Sequence, residues 1–457
     1  MQIAAIMKRF SSILLAASSL LWAFPARPAD RPHYGGTLRV ELREPPQSLD
    51  PAALTATGPE GLSRMVFETL VSLDSQGHPQ PLLASSWQAE PGNQRWRFVV
   101  RSGVSFSDGT PLDASAVAAS LRNSNPEWKA LSAGDTVIIE TELPDPDLAA
   151  ELALGRHSIV RRGNGSLIGT GPFTIAQSSV GQHLTLKAND QYWAGRPFVD
   201  SIEVEFGKND RDQMMALDLG KADVVEVAPE NIRRAQAENR VVMTAPPTEL
   251  MALIFTGDAS SDDELHARNA LASSIDTAAL NNVVLQGGGE PTAALLPTWL
   301  SGYGFLFGDS GGNGAHLPQP VSKRSQRWTL SFDTSDPVTR VIAQRLSLNA
   351  RDAGITLDLN SSVTGDARLV RIPLASSDPH VALLELARVL QLPRPKFTNA
   401  SVAELYAAEK SLLQAHRVIP LLHLRSAVAL RPTVHDFRMS PNSTWHLENV
   451  WLAVEKP

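Results

Sequence analysis

The stretch WRFVVRSGVSFSDGTPLDASAVAAS (96–120) contains the clearest local structural signals in this chain. The alternating residues 95–101 predict a strand, and the turn residues Asp108 and Gly109 end a second short strand. A helix follows, with Asp113 as its predicted N-cap. A hairpin joined directly to a capped helix indicates a fold that mixes strands and helices.

The same two patterns alternate along the rest of the chain without an internal repeat. Period-two or strongly apolar runs predict strands at GTLRVEL (36–42) and ELMALIFTG (249–257). The segment 328–360 reads as strand, helix and strand, with Gly354 at the helix stop. This unit is one βαβ step of an α/β domain.

Composition limits the function classes. The 457 residues are 43% apolar and 19% charged, enough for roughly two or three domains with sizeable cores. The net charge of -7 gives no electrostatic footprint for nucleic acid, so no such partner is expected. The chain has no cysteine, which excludes disulfides, thiolate metal sites and a lipid-modified N-terminal cysteine.

The N-terminal segment has the layout of a secretory signal. Lys8 and Arg9 precede fifteen residues without charge, FSSILLAASSLLWAF, and then the helix-breaking PARPAD. The apolar run is shorter than the roughly 20 residues that span a bilayer. We therefore expect a signal peptide at 1–29 and a periplasmic protein that is not a lipoprotein.

Several motifs, taken in order, resemble one known family. They are GGTLRVELREPPQSLDP (35–51), PLLASSW (81–87), the stretch 96–120, GTGPF (169–173), NDQYWAGRP (189–197), LDLGKADVV (217–225), RNALASSID (268–276) and GGGEPTAALLP (287–297). In this order and spacing they are similar to the extracytoplasmic solute-binding proteins of the peptide/nickel type, components of ABC importers.

The resemblance implies a bilobal α/β fold of the periplasmic-binding-protein type II class with an extra domain, like cluster C. Domain I would comprise 36–50, 165–248 and 426–457, domain II an insertion at 51–164, and domain III the distal lobe at 249–425. After residue 360 this chain lacks the family's long aromatic, Asp-rich stretch, so the distal lobe is expected to be shortened. Asp378 is either a remnant of that stretch or a turn before a helix.

The resemblance also implies a function. The protein would capture peptides or similar small polar ligands and deliver them by lobe closure to a permease with its ATPase subunits. The binding protein itself is expected to be a monomer without a cofactor. The resemblance is also compatible with a nickel chelate or an oligosaccharide as the ligand. A ligand-binding sensor or orphan binding protein without a transport role is the alternative.

Ligand contacts are expected from three segments. The loop 52–57, with Thr55 and Thr57, faces the cleft in the family. The strand 249–257 would lend backbone groups near Met251, Phe255 and Thr256 to an extended ligand. Gly287, Gly288 and Gly289 would let backbone approach a ligand closely, and a plain surface loop is the alternative for such a glycine run. With a shortened distal lobe, we expect backbone groups rather than charged side chains to dominate the cleft.

The stretch GDSGG (308–312) matches the surroundings of the nucleophile in trypsin-like proteases, which makes a secreted serine hydrolase using Ser310 a remote alternative. Nothing in the sequence marks the required base, and the Gly-, Ser- and Pro-rich surroundings predict a loop.

The eleven histidines form no pair with metal-ligand spacing, and the pair closest in sequence, His416 and His423, is separated by Pro420. Neither an enzyme nor a metal site is expected.

Overall fold

The computed structural model describes residues 31–46, 48–53, 60–163, 165–179, 181–310, 326–360, 365–398 and 401–454. Two compact units divide the chain, Met1–His33 and Tyr34–Pro457. Of the first unit only residues 31–33 are described, without regular structure, so the predicted signal peptide lies outside the described residues. Within the described ranges, no helix has the length and apolar character needed to cross a membrane.

A mixed sheet of eleven strands runs through Tyr34–Pro457. Ten of its strands follow one another in space in the order Phe173–Ser179, His183–Ala188, Ser201–Glu205, Thr37–Glu41, Val224–Val227, Val418–Leu430, Val241–Phe255, Ala367–Pro373, Arg327–Ser331 and Thr356–Asn360. The short strand Gly289–Pro291 pairs with Val418–Leu430 off this path.

Two strands of this sheet are far longer than the others. They are Val241–Phe255, the central strand, and Val418–Leu430, the return strand. They pair antiparallel, and bulges interrupt the pairing between Thr244 and Glu249, around Pro247. Proline has no N–H for a ladder bond, which favours an interruption at that point. The bulged region separates a proximal half of the sheet, with Thr37–Glu41, from a distal half.

Each half of the sheet has its own core, and we call the two bodies the proximal and distal lobes. The proximal core contains Leu38, Phe173 and Ile202. In the distal lobe the central strand is covered on both faces, because Met251 packs in one cluster and Leu250 in another. A strand buried on both faces must be apolar at every position, which explains the continuous run LMALIF at 250–255.

Residues 60–163, the insert, contain a separate antiparallel sheet. Its four strands are ordered Ala84–Ala89, Arg95–Val100, Thr136–Glu140 and Lys129–Ala133. The helix Ala114–Ser124 packs Val117 and Leu121 into a third core beside this sheet. Asp113 caps the helix by accepting a hydrogen bond of 2.8 Å from the backbone N–H of Ala116, as the sequence predicts.

The remaining elements are short connections and covering helices. Two-stranded pairs join Val71–Leu73 with Pro79–Pro81, Arg161–Gly163 with Ser166–Ile168, Val434–His435 with Trp451–Leu452, and Arg438–Met439 with Trp445–His446. The other described α-helices are Glu60–Arg64, Leu148–Glu151, Asp210–Asp218, Ile232–Ala237, Asp262–Ser274, Thr277–Ala279, Thr298–Ser301, Pro337–Asp352, Pro379–Val389 and Val402–Gln414. The described 3-10 segments are Pro51–Ala53, Gly155–His157, Pro229–Asn231 and Gly304–Ser310, and Leu280–Val284 is a π-helix.

The predicted βαβ unit is present in the distal lobe. Arg327–Ser331 and Thr356–Asn360 pair in parallel, and the helix Pro337–Asp352 connects them. Gly354 follows that helix with φ +73°, a left-handed conformation that glycine adopts without steric strain. The sequence prediction of this unit is confirmed.

Candidate binding cleft

A cleft of about 570 Å³ lies between the proximal and distal lobes. Its lining includes four arginines and five carboxylates. The arginines are Arg43, Arg368, Arg371 and Arg425, and the carboxylates are Glu44, Glu226, Glu249, Asp333 and Asp336. The expectation of a cleft dominated by backbone groups is therefore wrong, since both lobes place charged side chains there.

The positions of several lining residues follow from sheet topology. Arg43 and Glu44 come directly after the strand Thr37–Glu41, which pairs in parallel with Val224–Val227. In the distal lobe, Asp333 and Asp336 follow the parallel strand Arg327–Ser331. The carboxyl ends of parallel strands meet at one edge of a sheet, where ligands bind in open α/β sheets.

The distal wall of the cleft is organised around Arg371. Its guanidinium donates to Glu249 at 2.7 Å and to Asp336 at 3.1 Å. Burial by itself would lower the pKa of Arg371, but these two carboxylates outweigh it and raise that pKa. Burial likewise would raise the pKa of Asp336, yet Thr339 and Arg371 hold it below its usual range. Arg371 is thus charged and locked between two carboxylates.

The proximal wall has a matching arginine. The guanidinium of Arg43 donates to Asp210 at 2.6 Å, and its backbone N–H donates to Glu226 at 2.7 Å. Burial raises the pKa of Glu226 above its usual range. Burial by itself would lower the pKa of Arg43, but Asp210 and Glu226 outweigh it and raise that pKa.

Two of the lining charges are not engaged by the protein itself. The side chains of Arg368 and Glu44 have no hydrogen bond or ion pair within the described ranges, and both are exposed. One is positive and the other negative. A ligand that carries both signs of charge can pair with them without breaking an existing ion pair.

Met251 and Phe255 were expected to contact the ligand, but neither residue lines the cleft. Both side chains are buried in the distal core. Their strand is paired on one side with Ala367–Pro373 and on the other with the return strand, so it has no free edge for an added ligand strand. The expectation that this strand lends groups to a ligand stays a prediction, and the strand residues that line the cleft are Glu249 and Ile254.

The other predicted contact residues also lie away from the cleft lining or outside the described part. Thr256 donates its backbone N–H to the carbonyl of Asp366 at 3.0 Å. A Cβ at Gly288 would lie 2.1 Å from the carbonyl oxygen of Pro229, and one at Gly287 would lie 2.5 Å from Arg233. Both glycines therefore leave room for neighbouring protein atoms, and their contact with a ligand stays a prediction. Thr55 and Thr57 lie outside the described residues.

Three further sequence interpretations concern single residues. Asp378 accepts a hydrogen bond of 2.9 Å from the N–H of Val381 and caps the helix Pro379–Val389, which is the predicted turn before a helix. Ser310 ends the 3-10 segment Gly304–Ser310, and its side chain lies outside the described part. The buried His423 bonds the carbonyl of Leu295 at 3.0 Å and has a structural role.

Sequence reasoning missed the charged residues of the cleft for two different reasons. A polar residue directly after a parallel strand is a recognisable signal, and it was available for Arg43, Glu44 and Asp333. Arg371 gave no such signal because it lies inside the strand Ala367–Pro373. Its partner Glu249 is 122 positions away in the chain, so only pairing of the strands reveals the ion pair.

Comparison with known proteins adds a family match. The model described as "Bacterial extracellular solute-binding proteins, family 5 Middle" matches residues 78–372. A relative from Bacillus subtilis, the uncharacterized protein YhjP, is 33% identical over 176 residues, which is 35% of this chain and 30% of the relative. The probable D,D-dipeptide-binding periplasmic protein DdpA of Escherichia coli is 23% identical over 56% of this chain and 56% of its own length. The chain thus spans about half or less of the length of these relatives.

A solved structure agrees with the fold. The oligopeptide-binding protein AppA of Bacillus subtilis, in complex with a nonapeptide, superposes with a TM-score of 0.77 at 17% identity. The superposition covers 93% of this chain and 100% of that one. At this identity the likeness shows the fold, and the predicted bilobal α/β fold is confirmed.

Proposed function

Since the chain belongs to the bacterial extracellular solute-binding proteins of family 5, we propose that it captures a short peptide or a similar small zwitterionic solute and delivers it to an ABC importer. The observation that carries this proposal is the cleft of about 570 Å³ with four arginines and five carboxylates on its walls. Cavities of this size enclose most of the surface of a small ligand. Charges of both signs complement a molecule with an amine and a carboxylate.

The ligand would act by stabilising the closed arrangement of the lobes. Only a ligand with different affinities for the open and closed states shifts their populations, and a solute touching both walls has that property. The bulged region around Pro247 in the central strand is the natural hinge, because there the strand pairing is already interrupted. The separate cores support the three proposed domains. Domain I comprises 36–50, 165–248 and 426–457, domain II comprises 51–164, and domain III comprises 249–425.

The compartment and partners follow from the same proposal. We expect export through the cytoplasmic membrane, with release of a signal peptide near Ala29, and function in the periplasm as a monomer. The closed lobes would present the solute to a permease whose ATPase subunits supply the energy, since the chain itself has no phosphate-binding GxxxxGK[ST] motif.

The direct test is identification of the natural ligand. Mass spectrometry of small molecules released from natively purified protein should detect short peptides. Calorimetry with a panel of di- and tripeptides should then show binding that weakens when the peptide amine is acetylated or its carboxylate amidated. Recovery of a neutral oligosaccharide, or equal binding of the blocked peptides, would contradict the zwitterionic assignment.

A further inference from the structure

The distal lobe meets the rest of the molecule at a second place besides the cleft. Two parts of the insert, the turn 74–78 and the segment 147–156, lie against the distal segment 375–385. We call this contact the clasp. Among its described residues, Ala375 is the one that also lines the cleft. The clasp is therefore largely separate from the surface that a solute would touch.

The turn 74–78 packs tightly against the distal lobe at Gly77. Gly77 is buried although its neighbours Gln76 and His78 are exposed. A Cβ placed on Gly77 would lie 2.3 Å from the carbonyl oxygen of Ser377, well inside the closest distance that real Cβ atoms show. The backbones of insert and distal lobe thus approach each other at a point where only glycine leaves room.

Apolar and ionic contacts complete the clasp. Ala150 and Leu154 of the insert pack with Val381 of the helix Pro379–Val389 in a small buried cluster. Arg156 pairs with Glu151 of its own segment at 3.0 Å and with Glu385 across the contact. These two carboxylates have side chains that are 11% and 8% exposed, so the pairs are shielded from water and salt.

We infer that Gly77, Arg156 and the apolar cluster around Val381 are positioning residues that hold the distal lobe closed, so that affinity for the solute depends on residues that do not touch it. The free energy of the clasp is gained only when the lobes are together. It therefore shifts the closed population in the absence of ligand and raises the apparent affinity of any ligand of the closed state. The consequence for solute binding rests on the proposed function, whereas the closing effect does not.

The experiment uses the absence of cysteine from the chain, which allows two labels without background. Spin labels at Ser132→Cys on the insert and Arg351→Cys on the helix Pro337–Asp352, both exposed positions, report the distance between insert and distal lobe. Electron–electron double resonance on full-length, ligand-free protein gives the populations of short and long distances. No ligand has to be known.

Gly77→Ala is the test variant and Gly109→Ala is its matched control. Both glycines lie in turns of the insert with φ +84°, so alanine meets the same backbone strain at both. A Cβ at Gly109 has no atom within 4 Å, whereas one at Gly77 meets the distal backbone. The two variants should lose similar thermal stability, and they differ in the contact across the clasp.

We expect Gly77→Ala to lower the ratio of closed to open molecules by roughly tenfold relative to Gly109→Ala. If Gly77→Ala does not fold, Arg156→Gln provides the same test through the ion pair across the clasp. Equal distance distributions for the test and control variants, or a wild-type protein without any closed population, would overturn the inference. Failure to find a peptide ligand would reject the proposed function and leave these distance measurements unaffected.

Discussion

The cleft and the clasp both bring the distal lobe against the rest of the chain, but they differ in how far their charged groups are exposed and already paired. The cleft walls carry nine charged residues, of which Arg368 and Glu44 are exposed and unengaged within the described ranges. The clasp buries alanine, leucine and valine side chains, a glycine that touches backbone, and the shielded ion pairs of Arg156 with Glu151 and Glu385. Exposed, unpaired charges can take a ligand as partner, whereas the ion pairs of the clasp are shielded and already engaged within the protein.

This difference separates two tasks in one closing motion. Under the proposals made above, the clasp would set how readily the lobes close, and the cleft would set which solute makes closure favourable. Substitutions should therefore fall into two groups, one that changes the distance between the lobes without ligand and one that changes stability or ligand selection. The following predictions test that division, starting with the largest expected effect.

Removing the central arginine of the cleft should be the most damaging change. In Arg371→Met, Glu249 and Asp336 lose their cation while their side chains stay only 20% and 10% exposed. Breaking such a pair on one side leaves uncompensated charge, and we expect a loss of about 3 kcal/mol in the free energy of unfolding at pH 8. Urea denaturation at that pH measures the loss.

Arg368→Met is the control for that variant. Arg368 lines the same cleft but has no ion pair among the described residues, so the free energy of unfolding should change by less than about 0.5 kcal/mol. Equal losses in the two variants would show that the ion pairs of Arg371 do not organise the wall.

The clasp should open as the pH rises. Burial first, then the nearby Asp378 and Glu151, raise the pKa of Asp147 to about 7. The closed structure thus favours the protonated carboxyl group of Asp147. The stabilisation of the closed state by this group is complete below about pH 4 and is lost as the pH rises through about 7. Other charged groups at this contact are His78, Asp145, Arg156, His157, His380, Glu385 and Arg394.

Asp147→Asn imitates the protonated carboxyl group and should remove this part of the pH dependence. At pH 8 we expect it to favour the closed state by about 1 kcal/mol, measured with the same pair of spin labels. Should the variant keep the full wild-type change between pH 5 and pH 8, titration of Asp147 does not control the clasp.

The smallest effect is expected at the rim of the cleft. Arg425 pairs with Glu290, and their side chains are 36% and 48% exposed. Arg425→Gln should change the free energy of unfolding by less than about 0.5 kcal/mol, because exposed ion pairs gain little in water and are screened by salt. Urea unfolding with and without added salt checks this. A loss above 1 kcal/mol would mean that the rim behaves like the wall around Arg371.

Local features of the fold were predictable from neighbouring residues. Asp113 and Asp378 cap helices through their own side chains, and Gly354 follows a helix in a left-handed conformation. Such signals act within a few residues, so they can be read from the chain. The site was much less predictable. Met251 and Phe255 belong to a strand that sequence can identify, but their exposure depends on strands far away in the chain.

The sequence by itself determined the strands, the capped helices, the βαβ unit and the family resemblance, because short-range backbone preferences and ordered motifs carry that information. Tertiary structure decided which of these elements border the cleft. The central strand is flanked by Ala367–Pro373 and by Val418–Leu430, more than a hundred residues away, and this pairing removes its edge from any ligand. The same long-range pairing places Arg371 beside Glu249 and Gly77 against Ser377. Contacts between distant segments depend on the packing of the whole chain, which no local pattern records.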